Sequence, residues 1–198
     1  MLEARDRPLR LFVALPAPVG ARDRLLSAQR ELDALGLPVH WSPEAKLHLT
    51  LAFVGEAAPS EIEVVRRAVD GAAEKTAPFR VDLAGLGSFP LDAPPQVIWA
   101  GVDTGAARLA ALQRRLALGL RGTGGRDAAW PFHAHVTLGT VAEAWSDDQL
   151  QTWQRAGGGT PAPYGTWLVD RVHVFQSNAG AAAGSYTSVH TASLGGAH

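Results

Sequence analysis

Apolar and polar positions change period several times along the chain. Pro8–Leu15 (PLRLFVAL) is a short apolar run with strand character, ended by Pro16 and Pro18. Leu25, Ala28, Leu32 and Leu35 then recur at the spacing of one helix face, and Gly36 stands where a helix C-terminus puts it. After Trp41–Pro43 the period drops to two. Over Lys46–Val54, the side chains of Leu47, Leu49, Leu51 and Phe53 point one way, and Lys46, His48, Thr50 and Ala52 the other. Gly55 closes that strand. Ile62, Val65, Val69 and Ala72 trace a second helix, with Ser60 and Glu63 offering a capping box. Strands over Phe79–Leu86 and Gln96–Val102 flank the loop GSFPLDAPP. Leu109, Leu112, Leu116 and Leu120 make a third helical stripe, and Arg121–Ala129 reads as a surface loop. His133–Val141 repeats the alternation, with His133, His135, Thr137 and Gly139 on one face and Ala134, Val136 and Leu138 on the other. A short helix near Ser146–Arg155 comes next, then the loop GGGTPAP and strands over Thr166–Gln176 and Ser185–Thr191. The tail SLGGAH is expected to fray.

This order is an α+β mixture with helices covering sheets. It also contains a weak internal repeat: His48-Leu49-Thr50-Leu51 and His135-Val136-Thr137-Leu138 lie 87 residues apart (135 − 48) on similar strands. Two half-domains related by an approximate two-fold bring such strands together across a shared cleft. The expectation is one domain over residues 1–198, built of two intertwined lobes with one motif each.

Composition narrows the chemistry. With 46% hydrophobic and 19% charged residues the chain supports a sizeable core. A net charge of −1 argues against a broad electrostatic grip on long nucleic acid and leaves room for a pocket holding one phosphate. The chain has no cysteine, which removes disulfides, thiolate chemistry and cysteine-ligated zinc. The start MLEARDRPLR is too charged for a signal peptide, and no apolar run approaches the ~18 residues of a membrane span. A cytoplasmic monomer without a membrane partner is the expectation.

The two motifs carry the candidate chemistry. Positions i and i+2 of a strand share a face, so His48 sits beside Thr50 and His135 beside Thr137. Two imidazoles facing one cleft suit in-line displacement at phosphorus: one takes a proton from water and the other gives one to the leaving oxygen. Histidine's ordinary pKa of about 6.5 allows either role near neutral pH. Threonine hydroxyls can hydrogen-bond the non-bridging phosphoryl oxygens. No cofactor is needed for this. A single His-x-Thr in a strand is commonly structural, whereas two copies of matching parity favour function.

The pair His133-x-His135 also has the spacing of a metal site. No carboxylate joins either motif face, and the nearest acids to the first, Glu44 and Glu56, lie outside its strand. The GTGG stretch at Gly122–Gly125 lacks the Lys-Ser/Thr of a phosphate loop.

The twin His-x-Thr-Leu motifs resemble those of the two-histidine phosphoesterase superfamily, and more narrowly the bacterial and archaeal RNA 2′,3′-cyclic phosphodiesterases often labelled 2′-5′ RNA ligases. RLFVALPAP (Arg10–Pro18), WSPEAKLHLTLAFVG (Trp41–Gly55), FRVDLAGLGSFP followed by QVIWAGV, PFHAHVTLG, VHVFQS and a late GSY extend the likeness over almost the whole chain. The resemblance implies a bilobal α+β fold with antiparallel sheets lining a central cleft and helices outside. It implies hydrolysis of RNA 2′,3′-cyclic phosphate ends, or of cyclic nucleotides, to 2′-phosphomonoesters. His48 and His135 are then the catalytic pair, with His48 as acid for O3′ and His135 as base, and Thr50 and Thr137 bind phosphate. Lys46 could steer phosphate, and Phe12, Phe132 and Tyr186 could stack on a base. His40, His173, His190 and the terminal His198 carry no partner pattern.

Two departures stand out. Thr140 occupies the place of the family's usual Arg after the second motif, on the opposite face from His135 unless a bulge intervenes, so that Lys46, Arg126 or Arg10 could supply the cation. Gln96 replaces an Arg before the V-I-W run. Competing readings are 2′-5′ RNA ligation or 2′-5′ phosphodiesterase activity in the same site, a non-catalytic RNA-end binder, and a metal hydrolase.

Overall fold

In the computed structural model, which describes residues 8–123, 132–157, 163–178 and 186–195, the period-two stretches are strands and the 3.6-period stretches are helices. The order is β1 (Leu9–Pro16), α1 (Val19–Asp33), β2 (Val39–Trp41), β3 (His48–Ala57), α2 (Ile62–Glu74), β4 (Phe79–Phe89) and β5 (Val97–Val102). It continues with α3 (Ala106–Gly119), β6 (His135–Val141), α4 (Asp147–Gly157), β7 (Pro163–Val169), β8 (Arg171–Ser177) and β9 (Tyr186–Ser193). Short 3-10 turns at Glu44–Lys46 and Pro59–Glu61 lead into β3 and α2. Most of the loops read at Arg121–Ala129 and Gly157–Pro163, together with Arg126, Ser185 and His198, lie outside the described residues.

The strands form one continuous antiparallel sheet in the order β7-β4-β5-β6-β3-β1-β8-β9, with β2 laid along β6. The two sheets expected from the repeat are therefore joined. The joint is narrow: β3 and β6 share the single registered pair Leu49↔Val136. The sheet must also curl. Strands β7 and β8 stand at the first and seventh places of that order, yet only Asp170 separates them in the chain. Six flat strand spacings of about 4.8 Å far exceed the ~3.5 Å that one residue spans. The stretch read as one strand over Thr166–Gln176 is thus an extended run that Asp170 divides between the two ends of the sheet.

Four helices cover one face of the sheet and leave the other for the site. Leu25 and Leu32 of α1, Val65 and Val69 of α2, and Leu109, Leu112 and Leu116 of α3 are buried against Leu49, Val54, Val81, Ile98, Val136 and Val174. Leu35 falls beyond the end of α1 and is exposed, because the helix stops two residues before it, at Asp33. The start of α2 differs as well. The chain enters through a 3-10 turn, so the Glu61 carboxylate accepts the Ala58 N–H at 2.7 Å in place of a Ser60–Glu63 cap.

The part of the tail that is described, Ser193–Gly195, is anchored, and residues 196–198 lie outside the described residues. Leu194 is buried and donates its N–H to the Asp170 carbonyl at 2.7 Å, and Gly195 donates to Ala73. Among the described residues no helix is long and apolar enough to cross a membrane.

Candidate active site

The pair Leu49↔Val136 fixes the site. In an antiparallel ladder the residue before one partner faces the residue after the other, so His48 lies across from Thr137 and Thr50 across from His135. Side chains directly opposite have Cβ atoms about 4.5–5.5 Å apart. The four polar side chains therefore form one tight quadrilateral with the imidazoles at diagonal corners. Leu49, Leu51, Val136 and Leu138, all buried, pin the strands from the core side. Among the described residues neither threonine hydroxyl is engaged by a protein partner.

Both imidazoles are oriented in the same way. His135 Nδ1 lies 2.7 Å from the His133 carbonyl oxygen, which can only accept, so Nδ1 carries the proton and Nε2 is left for chemistry. His48 hydrogen-bonds the Lys46 carbonyl, again two residues before the motif histidine. Burial pushes both rings below the ordinary histidine value, and these hydrogen bonds partly oppose it. Charge on His135 lowers His48 further, and charge on His133 lowers His135. The two motif histidines accordingly resist being protonated together, which suits a proton donor facing a proton acceptor.

Their surroundings differ. His48 packs 5.1 Å from Phe12 and 5.4 Å from Tyr186, ring centroid to ring centroid, and Phe175 stacks on Phe12 at 5.5 Å. Lys46 Nζ lies 5.9 Å above the Tyr186 ring. His135 meets Phe89 edge-on at 5.0 Å, and Trp99 and His133 each at 6.2 Å. Trp99 stands opposite Thr137, and Gly101 opposite His135. The indole lies across two glycines: a Cβ on Gly87 would overlap it, and one on Gly101 would sit 3.1 Å away.

Three bulges re-aim side chains. Register shifts against β1 leave Leu51 and Val54 as extra residues of β3, so Ala52 turns toward the core and Phe53, paired with Phe12, joins the cleft face. This reverses the simple alternation for both residues and leaves Phe53 64% exposed. On β6 the extra residue is Leu138, which pairs Thr140 with Val97 and brings Thr140 round to the face of Thr137. The Leu138 carbonyl freed by the bulge accepts from the Ser42 N–H at 2.8 Å and from Gln29 Nε2 at 2.7 Å. The buried Gln29 thereby ties α1 to the second motif strand.

The sequence profile described as the 2′-5′ RNA ligase superfamily matches residues 24–181, most of the chain and both motifs. The chain belongs to that superfamily. Within the superfamily, a protein of Aeropyrum pernix named RNA 2′,3′-cyclic phosphodiesterase is 32% identical over 61% of this chain and 68% of its own length. The crystal structure of TT0787 of Thermus thermophilus is similar over 96% of this chain and 100% of that one, with a TM-score of 0.78 and 28% identity. E. coli LigT, complexed with 3′-AMP, shares the fold over 94% of this chain and 98% of that one at a TM-score of 0.76 and 21% identity.

The remaining candidates distribute unevenly around the two motifs. Lys46 and Tyr186 flank His48, and Arg10 acts electrostatically on Tyr186. Phe12 is 5% exposed, so it backs His48 and does not offer an open face. Phe132 packs against the hydrophobic core. His190 pairs with Asp70 at 2.7 Å, and His173 Nδ1 bonds the Thr191 hydroxyl at 3.0 Å. His40 stands on β2 opposite Thr140. The exposed Gln96 acts through its backbone, donating to Phe89 and accepting from Val141. Among the described residues no group of three or more metal-binding side chains gathers anywhere.

Sequence reasoning missed Phe53, Phe89, Trp99 and Phe175, and considered His133 only as a metal ligand. The glycines at Gly87 and Gly101, on neighbouring strands, were the one available signal that a large ring lies across them.

Proposed function

We propose that this protein hydrolyses RNA 2′,3′-cyclic phosphate ends, and nucleoside 2′,3′-cyclic phosphates, to 2′-phosphomonoesters. The observation that carries this reading is the diagonal arrangement of two neutral-leaning imidazoles and two threonine hydroxyls about the Leu49↔Val136 rung. Its membership of the superfamily and the phosphodiesterase name of its Aeropyrum relative support the same substrate class.

In this mechanism His135 Nε2 accepts a proton from water as the water oxygen bonds to phosphorus. The P–O3′ bond breaks in line, and protonated His48 delivers its proton to O3′. Thr50 and Thr137 hydroxyls donate to the non-bridging oxygens, whose negative charge grows in the transition state. Lys46 attracts the phosphate from the His48 side, and Tyr186 with the exposed Phe53 offers ring faces to the base. General acid and general base steps each bring about 10²–10⁴-fold. Both lobes act as one domain over residues 1–198, and the enzyme works as a cytoplasmic monomer.

The test is hydrolysis of the four nucleoside 2′,3′-cyclic monophosphates in excess EDTA, with product isomers identified by phosphorus NMR. Accumulation of 2′-monophosphates is the expected result. Exclusive formation of 3′-monophosphates would reverse the leaving group, and absence of turnover on these and on cyclic-phosphate RNA oligomers would leave an RNA-end binder.

A further inference from the structure

Gln29 is the polar exception on the buried stripe of α1. Leu25, Ala28 and Leu32 occupy that face at i, i+3 and i+7, and Gln29, at i+4, is 5% exposed among them. A buried carboxamide is costly unless its donors are used. Both are: Nε2 donates to the Leu138 carbonyl at 2.7 Å and to the Ser42 carbonyl at 2.9 Å. Carbonyl oxygens only accept, so the two partners fix which end of the amide faces them. The Ser42 N–H donates to the same Leu138 carbonyl at 2.8 Å and closes the junction.

This junction joins the helix to the flanks of both motifs. Ser42 lies on the approach to the first motif, six residues before His48 (48 − 42). Leu138 directly follows Thr137 and is the extra residue of the β6 bulge. Between Ser42 and His48 the chain leaves the sheet through the turn at Glu44–Lys46, and β3 meets β6 at the one rung Leu49↔Val136. Contacts from α1 and its lead-in run along that approach. Asp33 accepts from Trp41 Nε1 at 2.7 Å, Arg22 Nε lies 3.0 Å from Glu44 Oε1, and Ala17 donates its N–H to the Leu47 carbonyl at 3.0 Å. The contact made by Gln29 extends further, to the second motif strand.

We propose that Gln29 is a positioning residue for the phosphodiesterase reaction, its carboxamide holding the His48 and His135 motifs at their working separation. The inference rests on the phosphodiesterase reading. A bulge can be accommodated at neighbouring positions of a strand, and each placement turns the residues around it to different faces. Hydrogen bonds from Gln29 and Ser42 to the Leu138 carbonyl keep the extra residue immediately after Thr137, so Thr137 stays on the cleft face across from His48. The other N–H of the carboxamide fixes Ser42, and with it the entry of the chain into β3. Gln29 works from the core side of the sheet, through backbone carbonyls, and so bears on geometry and not on substrate contact. A misplacement of reacting groups by about 1 Å can cost on the order of 10²-fold in rate.

Gln29→Met keeps the length and bulk of the side chain and removes both donors. The substrate is adenosine 2′,3′-cyclic monophosphate, at a temperature where circular dichroism shows the variant folded. The expected result is a kcat lowered on the order of thirtyfold, with KM changed less than about threefold. The imidazole C–H resonances of both His48 and His135 should move in the NMR spectrum. Combined with Thr137→Ala, the loss should be smaller than the product of the two single losses, since Gln29 acts in part through Thr137. Ala21→Gly loosens the same helix and leaves the junction in place, so its kcat should stay within about twofold of wild type.

A folded Gln29→Met with wild-type kcat, a loss confined to KM, or unmoved resonances would overturn the proposal. So would an equal kcat loss in Ala21→Gly, or losses that multiply with Thr137→Ala. If Gln29→Met did not fold, Gln29→Asn, whose shorter side chain cannot reach both carbonyls, is held to the same criteria. If the wild type turned over no cyclic phosphate, the phosphodiesterase reading would fail, and the resonances would still decide whether Gln29 sets the geometry of the two motifs.

Discussion

The half of the molecule around His48 and the half around His135 are built on one plan and finished differently. In each, a bulged central strand presents His and Thr to the cleft, the imidazole hydrogen-bonds the carbonyl two residues earlier, and aromatic rings collar it. The His48 collar is Phe12, Phe175 and Tyr186, flanked by Lys46. The His135 collar is Phe89 and a tryptophan in a glycine cradle, flanked by His133. Repetition supplies geometry, and the departures from repetition supply chemistry. Two identical imidazoles in identical surroundings would have no reason to divide the acid and base roles.

The largest effects should come from breaking the symmetric part. His48→Ala and His135→Ala are each expected to lower kcat by about 10³-fold or more, with the double variant scarcely worse, because the pair acts as a unit. Losses that multiplied in the double variant would show two independent groups. Next come the hydroxyls: Thr50→Ala and Thr137→Ala should each cost on the order of 10²-fold in kcat, leaving measurable turnover. Unequal losses, read from single-turnover rates, would reveal which hydroxyl meets the phosphoryl oxygen that gains more charge. The smallest effect tests the unlike collars. Tyr186→Ala should raise KM about tenfold by removing a stacking face, whereas Tyr186→Phe should change it little. If Tyr186→Phe matched the alanine variant, the phenol and not the ring would be the contact.

Much of this arrangement is legible in the order of residues alone. Period-two alternation at Lys46–Thr50 and His133–Leu138 correctly put His48, Thr50, His135 and Thr137 on polar faces backed by buried Leu49, Val136 and Leu138. Alternation failed where the ladder gained a residue. Bulges at Leu51, Val54 and Leu138 leave no mark in hydrophobicity, since the extra residue is itself apolar and buried, yet each reverses the face of the residues after it. Phe53 and Thr140 reach the cleft for that reason. Asp170 was equally silent, since an uninterrupted extended sequence can still change sheet edges when the sheet curls. The collars were hidden because Phe89, Trp99 and Phe175 meet their histidines across strands, at separations no local pattern reports.

The single rung between β3 and β6 has a further meaning for the growing chain. Its partners, Leu49 and Val136, are 87 residues apart (136 − 49), so the site rests on a contact that is far from local in the chain. Such contacts close late, after local helices and hairpins have formed. A partly synthesised chain that has not yet reached His135 holds the first motif histidine without the second. The two motifs therefore come together only once β6 has joined β3 in the sheet.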